Sequence, residues 1–139
     1  MTKTVSYEVL VSFGDCDPMG MVMAPNYSRW MDAAAHHFFV QCGVPDFREL
    51  EKERGIAGYP LLEIHTKYFQ PAGDTDRLVI QTSIIEWRQK VFRFRHIVSR
   101  GVEVLCEGFE TRAFVIRSPA SADRIKAIPV PDDIKTLCS

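Results

Sequence analysis

The 139-residue sequence lacks a dominant charge of either sign: 17 Lys and Arg stand against 18 Asp and Glu, a formal net charge of −1. It therefore has no global basic field of the kind nucleic-acid binders carry, and any anion must be held by a local cluster. Long apolar runs are missing as well. No stretch approaches a membrane span, and Met1 to Val11 has no continuous apolar core of the kind a secretory signal needs. The four cysteines, Cys16, Cys42, Cys106 and Cys138, are scattered, with no C-x-x-C pair of the metal-binding type. They are expected to be reduced thiols of a cytoplasmic protein. Histidine offers no metal set: His36 and His37 are adjacent on a helical segment and point about 100° apart. His65 and His96 have no partner at ligand spacing, so no metal is expected. Repeats and low-complexity segments are also absent.

What is present is the composition of an ordinary globular chain, 46% hydrophobic and 25% charged. The length suits one domain over residues 1–139. Ser6 to Phe13 reads as a first strand. A Pro/Gly turn follows, and Pro25 suits the first position of a helix over Asn26 to Cys42, with Gly43 as its stop. Trp30, Ala33, Ala34, His37, Phe38 and Gln41 recur at spacings of three and four and define its buried face. Ala33-Ala34-Ala35 lets a sheet approach closely. Pro45 to Arg54 reads as a charged second helix or helical turn, closed by Gly55 and Gly58. From there the period changes to two. Strands are predicted over Leu61 to Phe69, Leu78 to Trp87, Val91 to Ser99 and Glu103 to Ile116. Ser118 to Asp123 reads as a loop, Arg124 to Ile128 as a brief strand, and the end as a turn of helix. One long helix against antiparallel strands is an α+β arrangement, with the sheet wrapped around the helix. Apolar pairs such as Ile84-Ile85 and Val104-Leu105 suggest partial burial on both sheet faces, hence self-association through strand edges or faces.

The most informative stretch is Phe13-Gly14-Asp15-Cys16-Asp17-Pro18-Met19-Gly20, just upstream of the long helix. Acyl transfer needs a carboxylate to attack or to activate water, and free N–H donors to hold the developing oxyanion. Asp17 on the turn supplies the first. The helix start supplies the second, because with Pro25 as first helical residue the cap is Ala24, whose side chain cannot accept the orphan N–H groups. The alternative is a plain polar turn, where Asp and Pro are common for local reasons. Asp15 would act on Asp17 by like charge only if an extended strand pointed both the same way. Cys16, between two carboxylates, is expected to have a raised pKa and to be a poor nucleophile. In Glu86-Trp87-Arg88-Gln89-Lys90, two cations beside an aromatic either clamp phosphates or form a solvated hairpin tip. Asp32 either points into an acyl pocket or pairs with His36 on an exposed helix face. Trp30, Phe38 and Phe39 read as core.

Together these residues carry a resemblance. "FGDCDPMG", "PNYSRWMDAA", "EWRQK" and "IPVPDDIKTLCS" are similar in content and spacing to the 4-hydroxybenzoyl-CoA thioesterase family of the hot-dog superfamily. The resemblance implies a hot-dog fold and hydrolysis of an aromatic, 4-hydroxybenzoyl-like CoA thioester. It also implies dimers that share active sites, and dimers assembled into tetramers. It makes Asp17 the catalytic carboxylate, the backbone N–H of Ala24 the donor to the thioester carbonyl, and Asp32 the partner of the acyl ring hydroxyl. Arg88, Gln89 and Lys90 occupy the positions that grip the CoA phosphates. No cofactor is implied, since coenzyme A is part of the substrate, and neither is a nucleic-acid or membrane partner. Two positions depart from the family pattern: Ala24 stands where an aromatic is frequent, and Gln89 where a third basic residue is. A short-chain aliphatic acyl-CoA thioesterase of the Tol-Pal-associated type shares the turn and is one alternative. A non-catalytic acyl-CoA binding module is another. Hot-dog hydratases would pair the Asp with a His beside the helix, which this turn lacks.

Overall fold

A computed structural model describes residues 2–139, the side chain of Ala122 excepted. In chain order its elements are strand β1 (Val5–Leu10), a 3-10 turn (Phe13–Asp15), helix α1 (Ala24–Gln41), helix α2 (Phe47–Arg54) and strands β2 (Ile56–Gly58), β3 (Leu61–Tyr68) and β4 (Arg77–Trp87). Then come β5 (Phe92–Arg100), β6 (Glu103–Arg112), β7 (Val115–Ser118), β8 (Ser121–Ala127) and helix α3 (Asp132–Leu137). The strands form an antiparallel five-stranded sheet in the order β1-β4-β5-β6-β3 and a smaller sheet in the order β2-β7-β8. Helix α1 packs on the inner face of the large sheet. This is the hot-dog arrangement.

Period two is visible in the main sheet. On β5, Phe92, Phe94, His96 and Val98 are buried against α1, while Arg93, Arg95 and Ile97 are only half-buried on the other face. Ile84 and Leu105 are buried, whereas their neighbours Ile85 and Val104 are 44% and 43% exposed, so these apolar pairs divide between a covered face and an open one. Gly108 on β6 faces α1 where Met31 enters, and a Cβ there would lie 2.5 Å from the Met31 sulfur. That missing side chain is what lets sheet and helix close. Two apolar clusters fill the space between them. One gathers Tyr27, Trp30, Met31 and Ala34 with Leu78, Ile80 and Leu105; the other gathers Phe38 and Phe39 with Phe92, Phe94, Phe114 and Ile134.

Several boundaries differ from the sequence reading, each for a physical reason. The buried face of α1 is Tyr27, Trp30, Met31, Ala34, Ala35, Phe38 and Phe39, so it is rotated from the expected one. Gln41 is exposed, and Ala33 and His37 are half-buried, because Met31 and the aromatics claim the sheet side. The helix starts at Ala24 with Met23 as its cap. The strand expected over Glu103 to Ile116 breaks after Arg112, where Arg112, Ala113, Phe114 and Val115 are all buried in succession. Four consecutive buried residues cannot belong to one two-sided strand, and β7 turns into the second sheet. There it meets β2, which the nearby Gly55 and Gly58 concealed, and β8, which takes up the second half of the expected Ser118 to Asp123 loop.

Candidate active site

The turn after β1 is built by local hydrogen bonds. Asp17 and Gly20 close it through Gly20 N–H to the Asp17 carbonyl at 2.9 Å, and Gly20 takes a left-handed φ of 81° that suits glycine. Asp17 Oδ1 accepts from the N–H groups of Met19 at 2.9 Å and Met21 at 3.1 Å. Oδ2 accepts no hydrogen bond among the described residues. The same geometry therefore satisfies both readings of the turn: one oxygen anchors the loop, and the other is free for chemistry. Asp15 does not share this environment. Its carboxylate accepts from Ser12 N–H and Oγ and from Arg29, and the Ser12 backbone bond is the main reason its pKa lies below the usual carboxylate value. Loss of solvent and the carboxylates of Asp74, Asp15, Asp17 and Asp76 push the Cys16 thiol up, as expected of a poor nucleophile.

Helix α1 begins directly after this turn without a side-chain cap. Met23 N–H is taken by the Asp15 carbonyl at 3.0 Å, Asn26 N–H by the Met23 carbonyl at 3.0 Å, and Pro25 has none. Among the described residues nothing accepts from Ala24 N–H. Because Ala24 is the first helical residue and not the cap, that N–H is one of the orphan donors at the positive end of the helix dipole. Asp17 and Ala24 line one cleft of about 350 Å³, with Met21, Val22, Tyr27, Tyr68, Phe69, Gln70 and Pro71. Three of its lining residues are aromatic: Tyr27 packs edge-on against Tyr68 at 5.4 Å between ring centres, and Phe69 is half exposed beside them. Tyr68 and Phe69 were read only as strand residues. Their place at the end of β3, beside the Pro71 break, was the signal that they flank a loop lip.

The other predicted residues lie elsewhere in the protomer. Arg88, Gln89 and Lys90 form the β4–β5 hairpin, closed by Arg88 N–H to the Val91 carbonyl at 2.8 Å and pinned by Val130 N–H to the Gln89 carbonyl at 2.8 Å. The Arg88 side chain is exposed and paired with Glu86. It lines a separate cleft of about 380 Å³ with Glu63, Glu86, Val91, Phe92, Arg93 and Thr111. The Asp17 turn is tied to the start of β4 through Val11 and Asp76, whereas the hairpin sits at the other end. At about 3.3 Å per residue, the length of β4 separates them by on the order of 30 Å. Asp32 does not line the Asp17 cleft of its own chain either. Its partner is not His36: Asp32 Oδ1 accepts from Arg112 Nη2 at 2.9 Å, and Asp32 is 68% exposed while Arg112 is 3% exposed. Among the described residues, no cluster of three or more His, Cys, Asp and Glu has the geometry to hold a metal.

The Thioesterase-like superfamily matches residues 11–136. The chain belongs to that superfamily. A 4-hydroxybenzoyl-CoA thioesterase from Pseudomonas sp. (strain CBS-3) is 40% identical to this thioesterase-family chain over 144 aligned positions, covering 100% of both. A crystal structure of a 4-hydroxybenzoyl-CoA thioesterase mutant with 4-hydroxybenzoyl-CoA superposes with a TM-score of 0.93 at 38% identity, covering 98% of this chain and 99% of that one. A gentisyl-coenzyme A thioesterase superposes with a TM-score of 0.79 at 32% identity, covering 96% of this chain and 98% of the other. The hot-dog fold and the thioester-hydrolase class inferred from the motifs are thus borne out.

Proposed function

We propose that this thioesterase-family enzyme hydrolyses an aromatic, 4-hydroxybenzoyl-like CoA thioester to the free acid and coenzyme A. The observation that carries the reading is one cleft lined by a carboxylate with a free oxygen, an unclaimed helix N-terminal N–H and three aromatic rings. The full-length relative that acts on 4-hydroxybenzoyl-CoA supports the same substrate class. The thioester carbonyl accepts from Ala24 N–H, whose strength grows as the oxygen gains charge in the tetrahedral transition state. One such donor contributes about 3–4 kcal/mol to the rate, and the helix dipole adds roughly 0.3–1 kcal/mol. Asp17 attacks the carbonyl carbon or activates the water that does. Ala24 places only a methyl group at that point of the pocket, and Tyr68 and Phe69 supply the aromatic wall. Coenzyme A enters with the substrate, and no further cofactor is invoked.

Arg88 and Lys90, with Gln89 between them, grip the CoA phosphates, and Asp32 meets the ring hydroxyl. Their separation from Asp17 within a protomer supports a site completed by a second copy. The outer edge of β3, with Leu61 and Leu62 exposed, is the natural pairing surface for a dimer, and dimers associate further into tetramers. A cytoplasmic setting and a place in aromatic degradation fit such a substrate. Among the described residues, no helix is long and apolar enough to cross a membrane.

Thiol release from 4-hydroxybenzoyl-CoA, benzoyl-CoA and butyryl-CoA tests the reading. The highest kcat/KM is expected for 4-hydroxybenzoyl-CoA. A preference for the butyryl ester would keep the catalytic groups and move the enzyme to the aliphatic class. Tight binding without thiol release from any ester would make it a binding module.

A further inference from the structure

The buried polar and charged side chains among the described residues are Thr82, His96, Glu110 and Arg112, and they are joined end to end. Thr82 Oγ1 lies 2.8 Å from His96 Nδ1, and His96 Nε2 donates to Glu110 Oε1 at 2.7 Å. Arg112 donates to Glu110 through Nε at 3.2 Å and Nη2 at 2.9 Å. The same Nη2 donates to Asp32 Oδ1 at 2.9 Å, and Nη1 donates to the Tyr59 carbonyl at 3.2 Å, with the guanidinium 5.2 Å over the Tyr59 ring. The chain of bonds crosses β4, β5 and β6 on the inner face of the sheet and surfaces at α1.

Stability does not account for such a chain. The desolvation of buried charges offsets much of their attraction, and well-packed apolar side chains hold a core as well. An apolar core cannot fix the direction of a surface carboxylate. An exposed Asp on a helix samples several rotamers in water, whereas Asp32 is anchored through one oxygen by a guanidinium that is itself held at four further points. Oδ2 accepts no hydrogen bond among the described residues, which leaves it available to an outside donor.

We propose that Arg112, backed by Glu110, His96 and Thr82, is a positioning residue that orients Asp32 toward the hydroxyl of a hydroxyaryl acyl group. It thereby sets the preference for hydroxylated over unsubstituted aryl-CoA esters. The inference rests on the reading of Asp32 as the acyl-pocket group that one protomer lends to another. Arg112→Lys keeps the charge but loses the planar fork.

The test is the ratio of kcat/KM for 4-hydroxybenzoyl-CoA to that for benzoyl-CoA. Wild type, Asp32→Asn, Arg112→Lys and the double variant are compared, with circular dichroism to verify folding. Arg112→Lys is expected to lower the ratio by about tenfold or more, the loss falling on the hydroxylated ester, as removal of a charge-assisted hydrogen bond implies. In the Asp32→Asn background it should lower the ratio no further. A folded Arg112→Lys that keeps the wild-type ratio, while Asp32→Asn lowers it, overturns the proposal alone. Asp32→Asn with an unchanged ratio removes the underlying reading of Asp32, and the proposal with it. If Arg112→Lys does not fold, Thr82→Val, a near-isosteric change at the far end of the chain, carries the test. A lowered ratio supports the relay and an unchanged one overturns it.

Discussion

Under the proposed function, Asp17 serves structure and chemistry together. Its Oδ1 is held by two backbone N–H groups of its own turn, and that bond set survives replacement by asparagine, whose amide oxygen accepts equally well. Asp17→Asn should therefore keep the melting temperature of the wild type while turnover falls by about a hundredfold or more, as loss of a general base or nucleophile requires. Thermal unfolding and steady-state thiol release measure the two quantities. The Asp17 turn and the uncapped helix start were legible in the sequence because what defines them is local, although the cap is Met23 and not Ala24. Asp32 was only half legible. Its position on α1 followed from helical periodicity, but its partner Arg112 lies 80 residues away. No spacing rule along one helix could find it.

At the scale of the elements, the proposed function makes the β4–β5 hairpin a binding device remote from the reacting bond. Contacts to phosphates hold ground and transition states alike, so Arg88→Ala with Lys90→Ala should raise KM by about tenfold or more with a smaller effect on kcat. A steady-state titration separates the two constants, and a fall in kcat at unchanged KM would make the hairpin structural. The inner face of the sheet has its own signature. Burial alone would push the Glu110 carboxyl up, but the bonds and charges of His96 and Arg112 outweigh it and hold the pKa below its ordinary 4.5. A carboxylate depressed in the folded state stabilises the protein above its unfolded pKa and loses that contribution as pH falls through the folded one. Wild-type stability should thus drop as pH is lowered below about 4.5, and Glu110→Gln should be less stable near neutrality with a flatter acid limb. Urea midpoints between about pH 3 and pH 7 test the sign. On β5, period two puts His96 on the inner face with Phe92, Phe94 and Val98. The same rule carried from Cys106 along β6 gives Gly108, Glu110 and Arg112, but their polarity concealed them. The break after Arg112 was hidden for a related reason: in a sequence, four buried residues in a row look like a strand buried on both faces.

The whole molecule is where sequence patterns say least, because topology rests on pairings between distant strands. The order β1-β4-β5-β6-β3 and the departure of β7 into a second sheet depend on which edges meet, and no local signal encodes that. The overall plan, one helix wrapped by antiparallel strands, was nonetheless legible from a single switch of period from 3.6 to two. The proposed sharing of the site between copies makes a prediction at this scale. Asp17→Asn and Arg88→Ala/Lys90→Ala chains, each weak alone at low substrate concentration, should regain activity when refolded together, because a mixed pair then holds one intact site. Activity equal to the average of the two separate variants would instead put both groups in the same protomer's site.

The central claim is that the Asp17 cleft performs thioester hydrolysis on an aromatic acyl-CoA. Single-turnover release of free thiol from 4-hydroxybenzoyl-CoA, with wild type and Asp17→Asn each in excess over substrate, tests it most directly. The expected result is a fast burst from the wild type and release slowed by about a hundredfold or more in the variant, with the ester still bound. Equal bursts from the two proteins would contradict it.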